Sequence, residues 1–330
     1  MGNFKNKKVL VTGGSGFIAS HLVHRLVKEG AKVIVTVKYN SVIDNIRISD
    51  IWEKITPLEA DIRNPDSLQK VKALKPHLVY HFAAYNHVGD SFRNVSEAID
   101  VNSKGTVNLM EAYDKYERFI YISSSEVYGY QKETPFTESQ TPFPISPYSV
   151  GKYSGELYAR MKWHVFKDPV VVLRPFNAFG PYQSPRAIIA ELIMKCLRGE
   201  DIVTTGGIQT RDFNYVENLI DGFMAAAVNT RAVGEVINVG SGRDIPIKDL
   251  VRKIHSISGS RSKLYIGKLP YRPTEIWRMR ADNRKAAKLL GWKPRFSLEE
   301  GLAKTVDWFR KFNDNFNDPD SGLNRLCATE

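Results

Sequence analysis

The stretch VLVTGGSGFIAS, residues 9–20, decides the fold of this chain. Its apolar, β-branched beginning predicts a strand that runs into glycines, and Leu22, Leu26 and Val27 recur after it at helical spacing. The residues KVIVTV at 32–37 predict a second strand. A strand, a helix and a strand joined through a glycine-rich turn form a βαβ unit. This unit predicts an α/β fold with a Rossmann-type, doubly wound parallel sheet.

The glycine turn indicates a site for the phosphates of a dinucleotide. Gly13 can take backbone angles that a side chain would forbid, and Gly16 lets a pyrophosphate approach the backbone. The helix that starts near Gly16 offers unpaired amides and the positive end of its dipole. Ala19 stands at the third glycine position of the usual fingerprint. Because the turn lies between a strand and a helix, dinucleotide binding is favoured over an ordinary structural turn. The candidate contact residues are Gly13, Ser15, Gly16, Phe17 and Ile18.

The composition argues against several other classes of protein. The 330 residues are 42% hydrophobic, which is ordinary for a globular chain with a core. Cys196 and Cys327 are far apart, a spacing that suggests neither a disulfide framework nor a metal cluster. The net charge of +11 is scattered among acids without a basic block, so we expect no nucleic-acid partner. The chain shows no signal region and no membrane-spanning run, and we expect a cytoplasmic protein with no metal and no membrane partner.

The end of the second predicted strand bears on the choice between NAD and NADP. An acid at this place would hold the ribose 2′-hydroxyl of NAD, and the segment VKYNS at 37–41 contains none. Lys38, Asn40 and Ser41 could instead meet a 2′-phosphate, although a Lys38 that merely faces water is an equally good interpretation. The sequence therefore predicts NAD(P), with NADP favoured over NAD.

Two further strand ends supply candidate cofactor contacts. Asp61 and Ile62 follow a short apolar stretch, and an acid in such a place often faces the adenine amino group. The next apolar strand ends in Ala83 and Ala84, whose small side chains let a dinucleotide lie across the sheet edge. His81 lies within that strand and is interpreted as packed there rather than catalytic.

The chemistry is expected where a serine-rich strand end meets a helix. A strand near 118–122 runs into Ser124, and a helix opens at 147 with Tyr148 and Lys152 one turn apart on one face. An ammonium group beside a phenol is expected to lower the pKa of the phenol. A phenolate can take the proton from a sugar hydroxyl while hydride leaves the carbon, and Ser124 can hydrogen-bond the same hydroxyl. These three residues are the catalytic candidates, and Tyr148 and Lys152 are also expected to contact the cofactor.

These motifs resemble the extended short-chain dehydrogenase/reductase family. Further matches are HFAA at 81–84, His87-Val88 with Ser91, RPFNAFGP at 174–181 and RDFNYV at 211–216. The resemblance runs from Lys8 to about Phe312. It is nearest to the nucleotide-sugar 4,6-dehydratases and their epimerase and decarboxylase relatives, in the NAD-dependent epimerase/dehydratase group. It implies an enzyme with a tightly bound NAD(P) and a nucleotide-diphosphate sugar as substrate.

Glu126 separates the reactions that the resemblance allows. The corresponding residue is typically small and uncharged in the 4-epimerases of the family, whereas in dehydratases it is an acid that takes the C5 proton. The preceding residue, often Asp in dTDP-glucose dehydratases, is Ser125 here. A Ser-Glu pair resembles GDP-mannose dehydratases and also occurs in UDP-glucuronate decarboxylases. The resemblance therefore implies a 4,6-dehydratase with Ser125 and Glu126 as further catalytic residues. A 4-epimerase or decarboxylase remains as an alternative, and a non-catalytic nucleotide-sensing or RNA-binding module is an alternative of another class.

The resemblance also implies a division of labour along the chain. Residues 1–175 would form the dinucleotide-binding domain, which a strand near 234–242 rejoins. Residues 176–330 would form a smaller α/β domain that binds the nucleotide sugar, with a polar tail at 313–330. We expect a helix to start at 183–186 and another to span 244–257. The implied substrate contacts are His87, Asn177, Arg186, Arg211 and Arg278.

The same resemblance predicts a homodimer. The predicted helix at 101–113 is apolar all round, which suggests that it is buried, in part against a partner subunit. We expect this helix and the helix at 149–161 to pair with their copies as a four-helix interface.

Overall fold

The computed structural model describes residues 3–38, 44–271 and 275–316. Two predicted cofactor contacts, Asn40 and Ser41, lie outside these residues, as do Cys327 and the last part of the predicted tail. The strands are β1 (Lys8–Thr12), β2 (Lys32–Val37), β3 (Ile55–Glu59), β4 (Leu78–His81), β5 (Arg118–Ile122), β6 (Val170–Pro175), β7 (Ala178–Phe179), β8 (Ile202–Thr204), β9 (Thr210–Arg211), β10 (Asn214–Tyr215), β11 (Val236–Val239), β12 (Ile245–Pro246) and β13 (Leu264–Ile266).

The helices alternate with the strands of the first half and dominate the second half. They are α1 (Phe17–Lys28), α2 (Gln69–Leu74), α3 (Val88–Ser91), α4 (Val95–Ile99), α5 (Gly105–Ala112), α6 (Pro147–Met161), α7 (Ile188–Arg198), α8 (Val216–Val228), α9 (Ile247–Ser258), α10 (Arg284–Leu290) and α11 (Leu298–Phe316). Turns of 3₁₀-helix lie at Asp44–Lys54, Pro65–Leu68, Ser125–Tyr128 and Thr230–Ala232, and π-helical turns lie at Asp100–Lys104 and Lys162–Phe166.

A seven-stranded parallel sheet in the order β11-β6-β5-β4-β1-β2-β3 forms the centre of the molecule. From β1 the chain extends the sheet in one direction to β3 and then returns to extend it in the other. Thr12 of β1 lies in register with His81 of β4. The direction changes between these two strands, so a ligand crevice is expected at their carboxyl ends. The Rossmann-type α/β fold predicted from the sequence is confirmed.

Both faces of this sheet are covered, which explains why its central strands are apolar throughout. In β1, Val9 and Val11 point into one core together with Leu22 and Leu26 of α1. Leu10 points the other way, into a second core. This alternation follows from the two-residue period of a strand.

The remaining strands pair in three small sheets, β7 with β10, β8 with β13 and β9 with β12. The helices α7, α9 and α11 pack on one another beside them. Strand β11 comes after β7–β10 in the chain, yet it pairs in parallel with β6 of the central sheet. The division into two domains at residue 175 stays a prediction.

Several predicted helix ends differ from the structure for local reasons. The helix expected at 183–186 begins only at Ile188, with Ala187 as its N-cap. The helix expected from 244 begins at Ile247, because Ile245–Pro246 pairs with β9. The last helix extends past the predicted start of the polar tail at 313, to Phe316.

The predicted helix at 101–113 is the middle and end of a longer helical segment that begins at Val95. Leu109 and Met110 are buried in the second core of the chain itself, so these apolar side chains do not need a partner subunit to cover them. The helix expected at 149–161 begins at Pro147, where Ser146 provides the N-cap.

Candidate active site

The glycine turn lies directly against the end of β4. Gly13 has a φ of +64°, and a Cβ on it would come within 2.9 Å of the Ala83 Cα, so a side chain there would collide with backbone. Its amide donates to Thr36 Oγ1 at 2.9 Å, which holds the turn on β2. Helix α1 begins at Phe17 with Gly16 as N-cap and without a side-chain cap, which leaves its first amides for an anion. The phosphates of a dinucleotide fit this cradle.

The other predicted cofactor contacts lie at neighbouring strand ends. Lys38 is exposed just after β2, and Ile62 is buried after β3. Asp61 forms a two-pronged ion pair with Arg63, in which Oδ2 lies 2.6 Å from Nη2, and this hydrogen bonding lowers the pKa of Asp61. An adenine amino group at this place would share the carboxylate with Arg63.

His81 is packed inside the sheet, as the sequence predicts. Its Nδ1 lies 2.7 Å from Thr12 Oγ1 and its Nε2 lies 3.0 Å from Thr106 Oγ1. Burial lowers the pKa of His81 to about 3, and the charge of Lys152 adds to the effect. The ring is therefore neutral at physiological pH.

Asn102 is a residue of the site that the sequence analysis left without a role. It lies in the π-helical turn between α4 and α5, where its Oδ1 accepts from the Tyr85 amide at 2.8 Å and its Nδ2 donates to the Tyr85 carbonyl at 3.1 Å. A longer bond of 3.5 Å reaches the Tyr148 carbonyl. Asn102 thereby joins the loop after β4 to the start of α6. An asparagine within an apolar helix was the available signal, because such a side chain needs partners when it is buried.

Ser124 and Tyr148 meet beyond the carboxyl end of β5. Ser124 caps the following 3₁₀ turn, and its Oγ accepts from the Glu126 amide at 3.1 Å. Tyr148 lies in the first turn of α6, where Ser146 and Ser149 form a capping box. Burial raises the pKa of Tyr148 to about 12, a hydrogen bond with Ser124 opposes the rise, and the Glu126 charge adds to it.

Lys152 follows Tyr148 by one turn of α6 and is almost completely buried. Its Nζ lies 4.7 Å from the centre of the Tyr121 ring, a cation–π contact. Burial lowers the pKa of Lys152 to about 7, while Glu156 raises it. The expectation of a lowered Tyr148 pKa is wrong in this structure, because burial outweighs the effect of a neighbouring ammonium group, and that group packs on Tyr121.

Glu126 lies in the 3₁₀ turn after β5, where the charges of Arg211 and Glu275 act on it. Burial raises its pKa, Arg211 lowers it, and Glu275 adds to the rise. A carboxyl group with a raised pKa keeps its proton to a higher pH than usual and is a stronger base once ionised, which suits proton transfer. The neighbouring Ser125 is buried, and its hydroxyl contacts Met279 Sδ at 3.5 Å.

Of the predicted substrate contacts, Arg211 and Asn177 are partly buried. Arg211 Nη2 lies 2.6 Å from Glu275 Oε1, and its Nη1 donates to the Ile276 carbonyl at 2.6 Å. Asn177 Oδ1 is buried and lacks a hydrogen-bond partner among the described residues. A buried polar atom without a partner is costly, so a donor from a ligand would be favourable at Asn177.

The other three predicted substrate contacts lie nearer the surface. Arg186 Nη2 is 2.8 Å from Asp90 Oδ2, and His87 Nδ1 is 3.1 Å from the same oxygen. Asp90 therefore joins the loop after β4 to the segment before α7. Arg278 is exposed and forms no hydrogen bond or ion pair with the residues described.

Asp212 is a second residue whose role the sequence analysis did not assign. Its Oδ1 accepts from the Ser241 amide and hydroxyl, and its Oδ2 accepts from the amides of Gly242 and Ala281. It thereby ties the segment of Arg211 to two later parts of the chain. Within the ranges that the structure describes, no cluster of three metal-binding side chains is found, and no helix is long and apolar enough to cross a membrane.

A family model described as GDP-mannose 4,6 dehydratase matches residues 10–305. The chain belongs to the NAD-dependent epimerase/dehydratase group of the extended short-chain dehydrogenase/reductase family. This range includes the glycine turn, Ser124, Glu126, Tyr148 and Lys152. The resemblance stated from the sequence is therefore confirmed, and the protein is an enzyme of this family.

Relatives within the family carry out more than one reaction. The dTDP-D-glucose 4,6-dehydratase of Bos taurus is 30% identical, over 96% of this chain and 92% of that protein. The UDP-glucose 4-epimerase of Thermotoga maritima, solved with UDP-glucose, has a TM-score of 0.86 and 32% identity, over 93% of this chain and 99% of that one. The UDP-glucuronic acid 4-epimerase of Bacillus cereus, solved with UDP-glucuronic acid and NAD, has a TM-score of 0.85 and 33% identity, over 92% and 99% of the two chains. Family membership thus leaves dehydration and epimerisation to be distinguished by the site.

Proposed function

We propose that this enzyme is a nucleotide-sugar 4,6-dehydratase, which converts an NDP-hexose into an NDP-4-keto-6-deoxyhexose. The observation that carries the proposal is Glu126, a carboxyl group beside Tyr148 whose pKa burial raises above its ordinary value. Epimerisation at C4 needs no base at C5, whereas elimination of water needs one. Glu126 provides that base next to the group that would begin the reaction.

A tightly bound NAD(P) is part of the proposal. The cradle of Gly13, the uncapped start of α1 and the small residues after β4 suit its phosphates, and the relative from Bacillus cereus was solved with NAD. When bound, the nicotinamide supplies a transient hydride acceptor. NADP is favoured because the end of β2 carries Lys38 and no acid.

The first half of the reaction is oxidation at C4. Tyr148, as phenolate, takes the proton of the C4 hydroxyl while hydride leaves C4. Ser124, which hydrogen-bonds Tyr148, orients the same hydroxyl. The ammonium form of Lys152 stabilises the phenolate and the cofactor ribose.

The second half is elimination of water across C5 and C6. The new ketone makes the C5 proton acidic, and Glu126 removes it and passes it to the hydroxyl that leaves C6 as water. Ser125 assists the transfer. Hydride then returns to C6 and C5 takes a proton from water. Tyr148 releases to water the proton that it took from the C4 hydroxyl, so the cofactor and the enzyme end as they began.

The substrate diphosphate is assigned to Asn177, Arg211 and Arg278. Arg186 is assigned to the neighbourhood of the nucleotide, and His87 is a further substrate contact. Arg211 has a planar guanidinium that suits a phosphate oxygen. Glu275 holds Arg211 in place, and binding of a diphosphate would exchange this carboxylate for a phosphate.

Two observations favour a 4-epimerase as the second candidate. Ser125 stands where dTDP-glucose dehydratases often have an acid, and the two solved relatives named above are epimerases. Decarboxylation of a UDP-glucuronate shares the oxidation step and is the third possibility.

We further propose the homodimer that the sequence predicts, with an interface formed by α6 and by the helical segment at 95–112, which contains most of the helix predicted at 101–113. Phe92, Val95, Val150 and Leu157 expose between 44% and 49% of their surface on these helices or beside them. Isolated exposed apolar residues are ordinary, but a cluster of four on adjoining helices suits a second copy of the same face.

Incubation with a panel of nucleotide sugars, analysed by mass, tests the proposal. Loss of 18 mass units (about one water) supports dehydration. An unchanged mass with a new sugar indicates epimerisation, and loss of carbon dioxide indicates decarboxylation; either result would overturn the dehydratase assignment.

A further inference from the structure

A buried ion pair lies beneath the candidate catalytic residues, and the proposed reaction does not use it. Glu156 of α6 is 0% exposed and Arg174 of β6 is 1% exposed. Arg174 Nε lies 3.0 Å from Glu156 Oε2, and its Nη2 lies 2.5 Å from Oε1. Removing two charges from water is costly, so stability alone is a weak reason for such a pair.

Glu156 is connected to the catalytic residues in two directions. The Ser123 hydroxyl donates to Glu156 Oε2 at 2.7 Å, and Ser123 directly precedes Ser124. In the other direction Glu156 follows Lys152 by one turn on the same face of α6. A Cβ on Gly155, between them in the chain, would lie 2.5 Å from Tyr121 Oη, so α6 can approach β5 this closely only with glycine there.

Among the residues that the structure describes, Glu156 is the negatively charged group that raises the pKa of Lys152. The ionisable groups that face Lys152 or contact its partners lie on five elements. They are Tyr121 on β5, His81 on β4, Tyr148, Glu156 and Arg160 on α6, Glu126 in the turn beside Tyr148, and Arg174 on β6. Arg160 Nη1 lies 3.8 Å from Glu156 Oε1 and is partly exposed to solvent. Burial keeps His81 neutral and raises the pKa values of both tyrosines, so these groups are uncharged at neutral pH. Arg174 is bound to the carboxylate, so it balances Glu156 from the side of β6.

We propose that Glu156 is a positioning residue for oxidation at C4: its carboxylate is the counter-ion of Lys152, and its bond with Ser123 holds α6 against the strand end that carries Ser124. This inference rests on the proposed function only in the step begun by Tyr148 and Lys152. That step is common to dehydration and epimerisation.

The proposal has a specific consequence for pH dependence. Tyr148 and Lys152 lose protons as a coupled pair, and the working form has the phenolate beside the ammonium. The rate of cofactor reduction should rise with pH until Lys152 gives up its proton, and then level off. Without the charge of Glu156, Lys152 gives up its proton at a lower pH, so the rate levels off sooner. Each unit by which the Lys152 pKa falls lowers the plateau rate of cofactor reduction about tenfold. At acid pH the rates of the parent and the variant converge, because Lys152 is charged in both proteins.

The test uses Glu156→Gln and the double variant Glu156→Gln/Arg174→Met, which removes both members of the buried pair and so leaves no unpaired Arg174 charge. Glu111→Gln is the matched control, because it removes the same charge from α5, where Glu111 contacts Tyr158 and Lys162 at the surface. Ser123→Ala removes only the bond from strand to helix and should lower the rate equally at every pH. Cofactor reduction is followed by absorbance in single turnovers of the holoenzyme across a pH series, with the sugar that the panel identifies.

A second measurement needs no substrate. The free energy of unfolding is measured by urea titration at each pH, with and without Lys152→Met to isolate the contribution of Lys152. We expect this contribution to begin near pH 7 in the parent and at a lower pH in the variants without Glu156. For Glu156→Gln, an unchanged onset and plateau pH, or a loss of rate by the same factor at every pH, would overturn the proposal. Epimerisation instead of dehydration in the panel would leave both measurements intact, and the unfolding measurement needs no substrate at all, so the two proposals fail separately.

Discussion

Arg211 and Glu275 form an ion pair, with 2.6 Å between Nη2 and Oε1, and both charges act on Glu126. Arg211 lowers the pKa of Glu126 and Glu275 raises it. The two members of one ion pair therefore act on the proposed base with opposite sign.

Substitution of either member should move the pH dependence of water loss in a defined direction. Glu275→Gln removes a negative neighbour and lowers the pKa of Glu126, so the acid limb of the profile moves to lower pH. Arg211→Gln removes a positive neighbour and moves it to higher pH, while also weakening substrate binding. The measurement is the rate of water loss at saturating nucleotide sugar from pH 5 to about pH 9. Displacement of both variants in the same direction would contradict the assignment of Glu126 as base.

Glu126→Gln should separate the two halves of the reaction. Oxidation at C4 requires Tyr148 and Lys152 but not Glu126, whereas elimination requires a base at C5. A general base contributes on the order of 10²–10⁴-fold, so water loss should fall by about that factor while nucleotide-sugar binding is nearly unchanged. Reduced cofactor should accumulate and be visible by absorbance.

Tyr148→Phe is the matched control for this variant, since it should block both steps and leave the cofactor oxidised. Single-turnover absorbance and product mass distinguish the two variants. Dehydration by Glu126→Gln at the parental rate would remove the main support for a dehydratase.

The cofactor released on denaturation should show that NADP binds at least as well as NAD. The reason is the absence of an acid at the end of β2, where Lys38 is exposed. Chromatography of the released dinucleotide, before and after exchange with an equal mixture, gives the ratio. Lys38→Glu should weaken NADP more than NAD, because only NADP carries the 2′-phosphate. Exclusive binding of NAD by the parent would contradict this prediction.

The free energy of unfolding should rise with pH between about 7 and the pKa of an unfolded lysine. The folded Lys152 has a pKa of about 7 against an ordinary value of 10.5, so between these values the unfolded chain binds the additional proton. This contribution to stability is present at high pH and disappears as the pH falls through that window. Lys152→Met should remove the rise, whereas Lys253→Met, at a surface ion pair with Glu299, should leave it. Parallel curves for the parent and Lys152→Met would show that Lys152 keeps an ordinary pKa.

Leu157→Glu should convert a dimer into monomers. Leu157 is 47% exposed on α6. In the proposed dimer interface a glutamate at this position would be desolvated without a partner, which destabilises the dimer. Val165→Glu is the matched control, because Val165 is 62% exposed in the π-helical turn beyond α6. Light scattering at micromolar concentration gives the mass. A parent that is already monomeric would contradict the prediction.

The βαβ unit and the pairing of Tyr148 with Lys152 were predictable because their sequence signals are local. Strand and helix periods are written in consecutive residues, and Tyr148 and Lys152 share a helix face by spacing alone. The position of the glycine turn against Ala83 follows from the parallel order of the strands.

The interactions that escaped prediction join residues far apart in the chain or depend on burial. The pair of Glu156 with Arg174 spans a helix and a strand, and the pair of Arg211 with Glu275 spans 64 positions. The pKa of Tyr148 was expected to fall because the neighbouring charge was considered without the desolvation that accompanies it. The π-helical turn at Asn102 depends on bonds to the loop after β4, which no periodicity encodes.

The return of β11 to the central sheet constrains how this enzyme can be cut or rebuilt. β11 covers the outer edge of β6, so a fragment that ends at residue 175 would present the amides and carbonyls of β6 to any other strand in solution. Expression of the first 175 residues alone thus invites aggregation rather than a small nucleotide-binding module. A chimaera that exchanges the sugar-binding residues must keep Val236–Val239 with the parent sheet, and a circular permutation must spare the connection that leads into it.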